Sequence, residues 1–240
     1  MKIISKYELL NVYPVKDLTF IEPTLNSHAN KGTVTGISNA WREGTIIDAK
    51  GWLWVNTDKL HTILRTNKDN ARYQLSRIES EFKVNRGNKS YVRGFKILEL
   101  IARTIEEDGI GRKGIYLETS KDYYDAINRC DKAARLRMEY DNALKEERKT
   151  LKRKRIKKYN LKEDELTGEK LNKSKSDFSH VRSVGIYKTL SDHIENGLIV
   201  NKKTHEIITT RGINDEVELK HLCEEMNWKV DWYKRYRQIF

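Results

Sequence analysis

The spacing of apolar and polar positions changes character several times along the chain. Near the start, Thr33-Val34-Thr35-Gly36-Ile37 and Thr45-Ile46-Ile47-Asp48 have the β-branched composition of short strands, and Gly51-Trp52-Leu53-Trp54-Val55 that of a compact aromatic strand. From Asn56 the period lengthens. Asn56-Thr57-Asp58 is placed to cap a helix through Leu60, Ile63 and Leu64. Thr66-Asn67 then breaks the chain and caps a second helix, with Ala71, Leu75 and Ile78 inward and Lys68, Arg72 and Arg77 outward. Phe82–Arg86 and Ser90–Gly94 flank Gly87-Asn88, a hairpin signal. Helix, turn, helix and basic hairpin is the order of a winged helix-turn-helix, whose second helix would bring Arg72 and Arg77 to the major groove. An ordinary α+β fold gives the same string.

Further on, Ile97, Leu100, Ile101 and Ile105 define an amphipathic helix over residues 96–108, ended by Gly109, Gly111 and Gly114. Thr119-Ser120 can cap a long helix from about residue 121 to 158. Its second half is dominated by Lys and Arg, with Lys152, Arg153, Lys154 and Arg155 consecutive, while Leu144, Leu151 and Ile156 are too sparse to bury a face. The expectation is a solvated connecting helix whose basic side chains lie along phosphates. Asn214-Asp215 caps a helix from Glu216 to Met226, and Trp228, Trp232 and Tyr236 fall at helical spacing in the tail.

Charge sharpens this picture. The 240 residues carry a formal net charge of +12, which points to a polyanionic partner. With 34% charged residues, no stretch is apolar enough to span a bilayer, so no membrane partner is expected. The early charges of Met1-Lys2-Ile3-Ile4-Ser5-Lys6 argue against a signal peptide. Cys130 and Cys223 form no CxxC pair, which argues against a zinc cluster or disulfide scaffold and suits a cytoplasmic protein.

Candidate chemistry is concentrated in residues 160–210. Glu165-Leu166-Thr167-Gly168-Glu169-Lys170-Leu171 precedes Asp177-Phe178-Ser179-His180-Val181, then Asn196-Gly197-Leu198-Ile199-Val200 and His205. This ordered set resembles the HNH (His-Me finger, ββα-metal) endonuclease family, and within it the branch with a plain Thr-Gly turn in place of zinc-binding cysteines. The resemblance covers about a quarter of the chain. The steps of sixteen residues from His180 to Asn196 and nine from Asn196 to His205 suit the family.

The resemblance implies roles. His180, on a β-hairpin, would deprotonate the attacking water, a task suited to an imidazole titrating near neutrality. Asn196 would orient that ring or brace the loop. His205, on the following helix, would bind one divalent metal ion, Mg²⁺ in the first instance, with Mn²⁺ or another divalent ion as alternatives. Many family members have Asp directly before the first His, where this chain has Ser179. Asp177, where the resembled branch also has an acid, is the candidate second metal ligand, but an odd offset along a regular strand turns it to the face opposite His180, so it could ligate only if the strand bends or ends there. Asp192-His193-Ile194 spells the commoner motif but lies too close to Asn196. His28 and His61 stand apart from any acidic or cysteine partner, and His221, beside Leu222 and Cys223, reads as a helix residue rather than a ligand.

The expected architecture is α+β. A mixed α/β, winged-helix-like targeting domain covers residues 1–118, a basic connecting helix 119–158, and a ββα-metal domain 159–240. The expected function is metal-dependent hydrolysis of double-stranded DNA by a restriction, homing or phage-type endonuclease, with a homodimer admissible. The alternatives are a non-catalytic DNA-binding regulator and a nuclease acting on RNA or structured DNA.

Overall fold

In the computed structural model, which describes residues 9, 11–107 and 111–240, the segment expected to begin with a strand is instead helix α1 (Lys31–Gly44). Val34, Ile37 and Trp41 recur at three- and four-residue steps and are buried, and the Asn30 side chain accepts a hydrogen bond from the Thr33 amide to start the helix. The helical period over fourteen residues outweighs the β-branched composition of five.

Short strand β1 (Val12–Pro14) precedes α1, and β2 (Thr45–Asp48) and β3 (Leu53–Asn56) follow it. The Asn56 side chain accepts from the Asp58 amide at the turn into the one-turn helix α2 (Leu60–Ile63). Asn67 caps α3 (Lys68–Ser76) through the Asn70 amide. Strands β4 (Lys83–Arg86) and β5 (Lys89–Arg93) form the expected hairpin, with Gly87 at a φ of 57° supplying the left-handed turn residue. The five strands make one antiparallel sheet in the order β1-β2-β3-β5-β4.

Helix α4 (Gly94–Ile105) buries Ile97 and Ile101. The expected long helix is two. Helix α5 (Arg112–Asn128) begins after Gly111, which has a φ of 50°, so Gly114 sits inside the helix rather than breaking the chain. Thr119 and Ser120 do not cap it: the Ser120 hydroxyl is buried, accepting from the Trp41 indole and donating to the Ile63 carbonyl. Helix α6 (Asp131–Tyr159) follows a break at Arg129-Cys130. The charged start of the chain, Met1–Lys6, and Gly109 lie outside the described residues.

The chain divides into two compact units, one ending at Tyr140 and the other spanning Asp141–Phe240. The division falls inside α6, so 119–158 is not a separate element. The first unit packs the sheet, α1–α5 and the start of α6 around Ile37, Trp41, Val55, Ile97, Leu117 and Ala133. In the second, β6 (Ser176–His180) and β7 (Gly197–Asn201) pair antiparallel and run into α7 (Lys202–Thr210), followed by α8 (Glu216–Glu225) and α9 (Asp231–Ile239). Asp215 caps α8 through the Val217 and Glu218 amides. Leu166, Leu198, Val200, Ile208, Leu222, Trp232 and Tyr236 form its core, so the tail aromatics on α9 pack inward. Among the described residues, no helix is long and apolar enough to cross a membrane.

Candidate active site

The ββα unit is held by carboxylates that the sequence reading did not single out. Asp164 is fully buried. Its Oδ1 accepts from the Leu166 and Thr167 amides, closing the turn at Gly168, and its Oδ2 accepts from the Asn201 amide and the Thr204 hydroxyl. One side chain therefore fixes the Thr-Gly turn and the start of α7. The Asp-x-x-Thr-Gly string is the signal that could have found it.

Asp177 and His205 are brought together. The Asp177 Oδ2 lies 3.2 Å from the His205 Nδ1, and both side chains are partly exposed, at 45% and 37%. Residues pair one to one from Ser176↔Asn201 to His180↔Gly197, so β6 carries no bulge. The bend that would turn Asp177 to the His180 face is therefore absent, and what Asp177 meets is His205 of α7. Two ligands at about 2.1 Å from one octahedral ion, at right angles, stand about 3.0 Å apart, close to the observed separation. Among the described residues no group of three or more His, Cys, Asp or Glu side chains could hold a metal. One carboxylate and one imidazole could supply part of the shell of a divalent ion that keeps several waters.

His180 ends β6. Its Nε2 lies 2.9 Å from the Ser191 carbonyl. A carbonyl only accepts, so Nε2 carries the proton and Nδ1 holds the free lone pair in the neutral ring. The Phe178 ring meets the imidazole edge-on, with centroids 5.0 Å apart. Burial lowers the His180 pKa below its ordinary value. The Ser191 carbonyl opposes that shift, and the charges of Arg148 and His205 add to it. His205 is therefore within electrostatic reach of His180, although the direct contacts of His180 go to Ser191 and Phe178.

Among the described residues, the hydrogen bonds of the Asn196 side chain go to Arg182, Leu190 and Tyr236 and not to the His180 ring. Asn196 is fully buried and uses both ends of its amide. Its Oδ1 accepts from the Arg182 amide and the Tyr236 hydroxyl, and its Nδ2 donates to the Arg182 and Leu190 carbonyls. This ties both ends of the loop between the strands to α9, the bracing role rather than the orienting one. His193 sits in that loop, with its Nδ1 accepting from the Glu195 amide and its ring against Phe240.

The basic residues separate into different kinds. Arg155, expected to lie along phosphates, is only 1% exposed and cannot reach them. Its guanidinium donates to both Glu165 oxygens at 2.7 and 2.8 Å, to the Ile194 carbonyl at 3.0 Å and to Glu195 at 3.2 Å. Burial of Glu195 disfavours its charge, but the Lys158 and Tyr159 hydrogen bonds and the Arg155 charge outweigh this and hold its pKa at about 2. Lys152 donates to the Ser176 carbonyl, and Lys154 pairs with Glu147 at 2.6 Å. Arg153 is exposed. On α3, Arg72 pairs with Asp69 at 3.2 Å, and just past its end Arg77 lies against Tyr73, all exposed. No family model matches this sequence, and no match is found among curated proteins or solved structures.

Proposed function

We propose that residues 141–240 form a metal-dependent nuclease of the HNH (His-Me finger) type that hydrolyses phosphodiester bonds of double-stranded DNA. The observation that carries this reading is the meeting of Asp177 and His205 at 3.2 Å across the β6–α7 junction, on the strand that ends in a histidine of lowered pKa. Asp177 and His205 would hold the metal, which when bound supplies a Lewis acid for the phosphate and the leaving oxygen. His180 acts as general base. Its lowered pKa keeps the ring neutral near pH 7, and its Nδ1 lone pair takes a proton from the water that attacks phosphorus. Arg148, whose charge already reaches His180, adds positive potential where the phosphorane gains negative charge. Asn196 positions the loop carrying Ser191, and through it the ring. Helix α3 and the basic β4–β5 hairpin would give the first unit the task of choosing the target, because phosphate contacts carry little sequence information.

The test is plasmid nicking with Mg²⁺, Mn²⁺ or EDTA. Metal-dependent nicking is expected, reduced on the order of 10² to 10⁴-fold in His180→Ala, with duplex affinity retained. Nicking by folded His180→Ala at the wild-type rate would refute the assignment. A parallel comparison of duplex, single-stranded and branched DNA with RNA tests the substrate class.

A further inference from the structure

A groove of about 530 Å³ runs along the second half of α6, lined by Lys149, Lys152, Arg153, Ile156, Lys157, Asn160 and Lys173. Five of its seven lining residues are cationic and none is acidic. On α6, Lys149, the pair Lys152-Arg153 and the pair Ile156-Lys157 recur every three to four residues, so they form one stripe down the helix. Lys173, from the turn before β6, closes the other wall. Arg153, Lys157 and Lys173 are exposed, and none of them ion-pairs with a described carboxylate, whereas the neighbours Lys149 and Lys154 do. Unpaired cations gathered on opposite walls of a groove repel one another, and that arrangement is relieved by an anion lying between them.

The groove lies on the helix that bonds the start of β6. Helix α6 runs antiparallel beside β6: Lys152 bonds the Ser176 carbonyl at the strand's start, and the charge of Arg148 reaches His180 at its end. Asp177 is the next residue after Ser176. A polyanion in the groove would therefore continue past Asp177 and His205. From Lys149 to Lys157 the helix rises about 12 Å, the axial length of about three phosphates along one strand of a duplex.

We infer that this groove binds the sugar-phosphate backbone of the duplex on the flank of the cleaved bond, with Arg153, Lys157 and Lys173 as its three phosphate contacts. This rests on the nuclease reading for what happens at Asp177, His180 and His205, but not for binding itself. It also replaces the run 152–155 as the phosphate-binding set, because Arg155 is buried and Lys154 is paired with Glu147, while four consecutive residues span about 300° around a helix.

The experiment measures binding of the full chain to a labelled DNA duplex in EDTA, by fluorescence anisotropy from about 50 to 200 mM salt. It compares wild type, Arg153→Gln/Lys157→Gln/Lys173→Gln, and a charge-matched control, Lys220→Gln/Lys229→Gln/Lys234→Gln. Thermal unfolding establishes that both triple variants fold. The groove variant should lose about 2.7 from the slope of log affinity against log salt, three contacts at about 0.9 each, with equal losses on unrelated duplex sequences. The control should keep the wild-type slope. An unchanged slope in the groove variant, an equal loss in the control, or no duplex binding by wild type would overturn the proposal. So would tighter binding of an acidic polypeptide than of duplex. Cleavage assays with metal separate the two readings. Cleavage with an unchanged groove slope removes the groove and keeps the nuclease. The expected slope loss in a protein that never cleaves keeps the groove and removes the nuclease.

Discussion

Replacing Arg155 with Met should destabilise the second unit, and should do so without the salt signature of a lost phosphate contact. Arg155 is 1% exposed and satisfies Glu165 and Glu195, themselves 10% and 8% exposed. Removing one partner of a buried ion pair typically costs about 3–5 kcal/mol, because the other charge stays buried without it. Here the orphaned carboxylates keep some partners. Glu165 still faces Arg235 at 3.5 Å and accepts from the Ile199 amide, and Glu195 keeps Lys158 and Tyr159. The lower end of the range, about 3 kcal/mol, is therefore expected. In urea that moves the midpoint down by about 1–3 M at ordinary slopes. Arg153→Gln, two residues away and exposed, should stay within about 0.5 kcal/mol of wild type. Adding Glu165→Gln to Arg155→Met should recover part of the loss, since it removes a stranded charge. A midpoint unchanged in Arg155→Met, with a reduced salt slope for duplex binding, would refute this account and return Arg155 to the phosphates.

Two other outcomes follow from the site. The cleavage rate should rise with pH through a value below the ordinary imidazole pKa of about 6.5 and level off above it, because only neutral His180 accepts a proton. The same shift means the unfolded chain binds that proton more tightly, so this stability contribution begins to fall below about pH 6.5 and is fully lost once the pH has passed the folded pKa. A pH-rate profile with an inflection above 6.5 would count against His180 as the base. Gly197→Ala would place a Cβ inside the Phe178 ring, which packs on His180, so it should cost about 1–3 kcal/mol and slow cleavage further than the folded fraction explains. Full activity in that variant would show that the Phe178–His180 contact is dispensable.

Local signals were legible where one residue decides the outcome. Asn67 and Asp215 cap the helices they were expected to cap, and Gly87 turns the β4–β5 hairpin. Misreadings arose where two scales competed. Thr33–Ile37 has strand composition inside a longer helical period. The break at Arg129-Cys130 has no Gly or Pro to announce it. Arg155 looked solvated because a run of bases was read as one surface. Leu144, Leu151 and Arg155, at steps of seven and four, in fact share the buried face of α6. Its partners Glu165 and Glu195 lie ten and forty residues away, so the burial depends on tertiary contacts that no local window contains. Asp177 is the complementary case. Strand parity correctly set it on the face away from His180, but only the return of α7 reveals what that face meets.

The position of α6 has a consequence for where the second unit can be cut. Sequence patterning set the boundary after residue 158, treating the basic helix as a linker. In the folded chain, Leu144 and Leu151 are buried at 4% and 2% exposure, Arg155 closes the carboxylate pair, and Lys152 holds the first residue of β6. A fragment 159–240 loses all four. It leaves Glu165 and Glu195 buried without Arg155, and removes two buried leucines. Fully burying a leucine is worth about 1.5–3 kcal/mol, and the stranded charges cost about 3 kcal/mol more, together comparable with the whole stability of a domain of this size, about 5–15 kcal/mol. A fragment 141–240 keeps both leucines and every hydrogen bond of Arg155 and Lys152 named above. The shorter fragment should lack a cooperative unfolding transition, and the longer one should unfold cooperatively and retain any metal-dependent cleavage, with target choice lost. Cooperative unfolding of 159–240 would show that α6 is the solvated connector its composition suggests, and would leave the β6–β7–α7 unit resting on the core around Leu198, Ile208, Trp232 and Tyr236 alone.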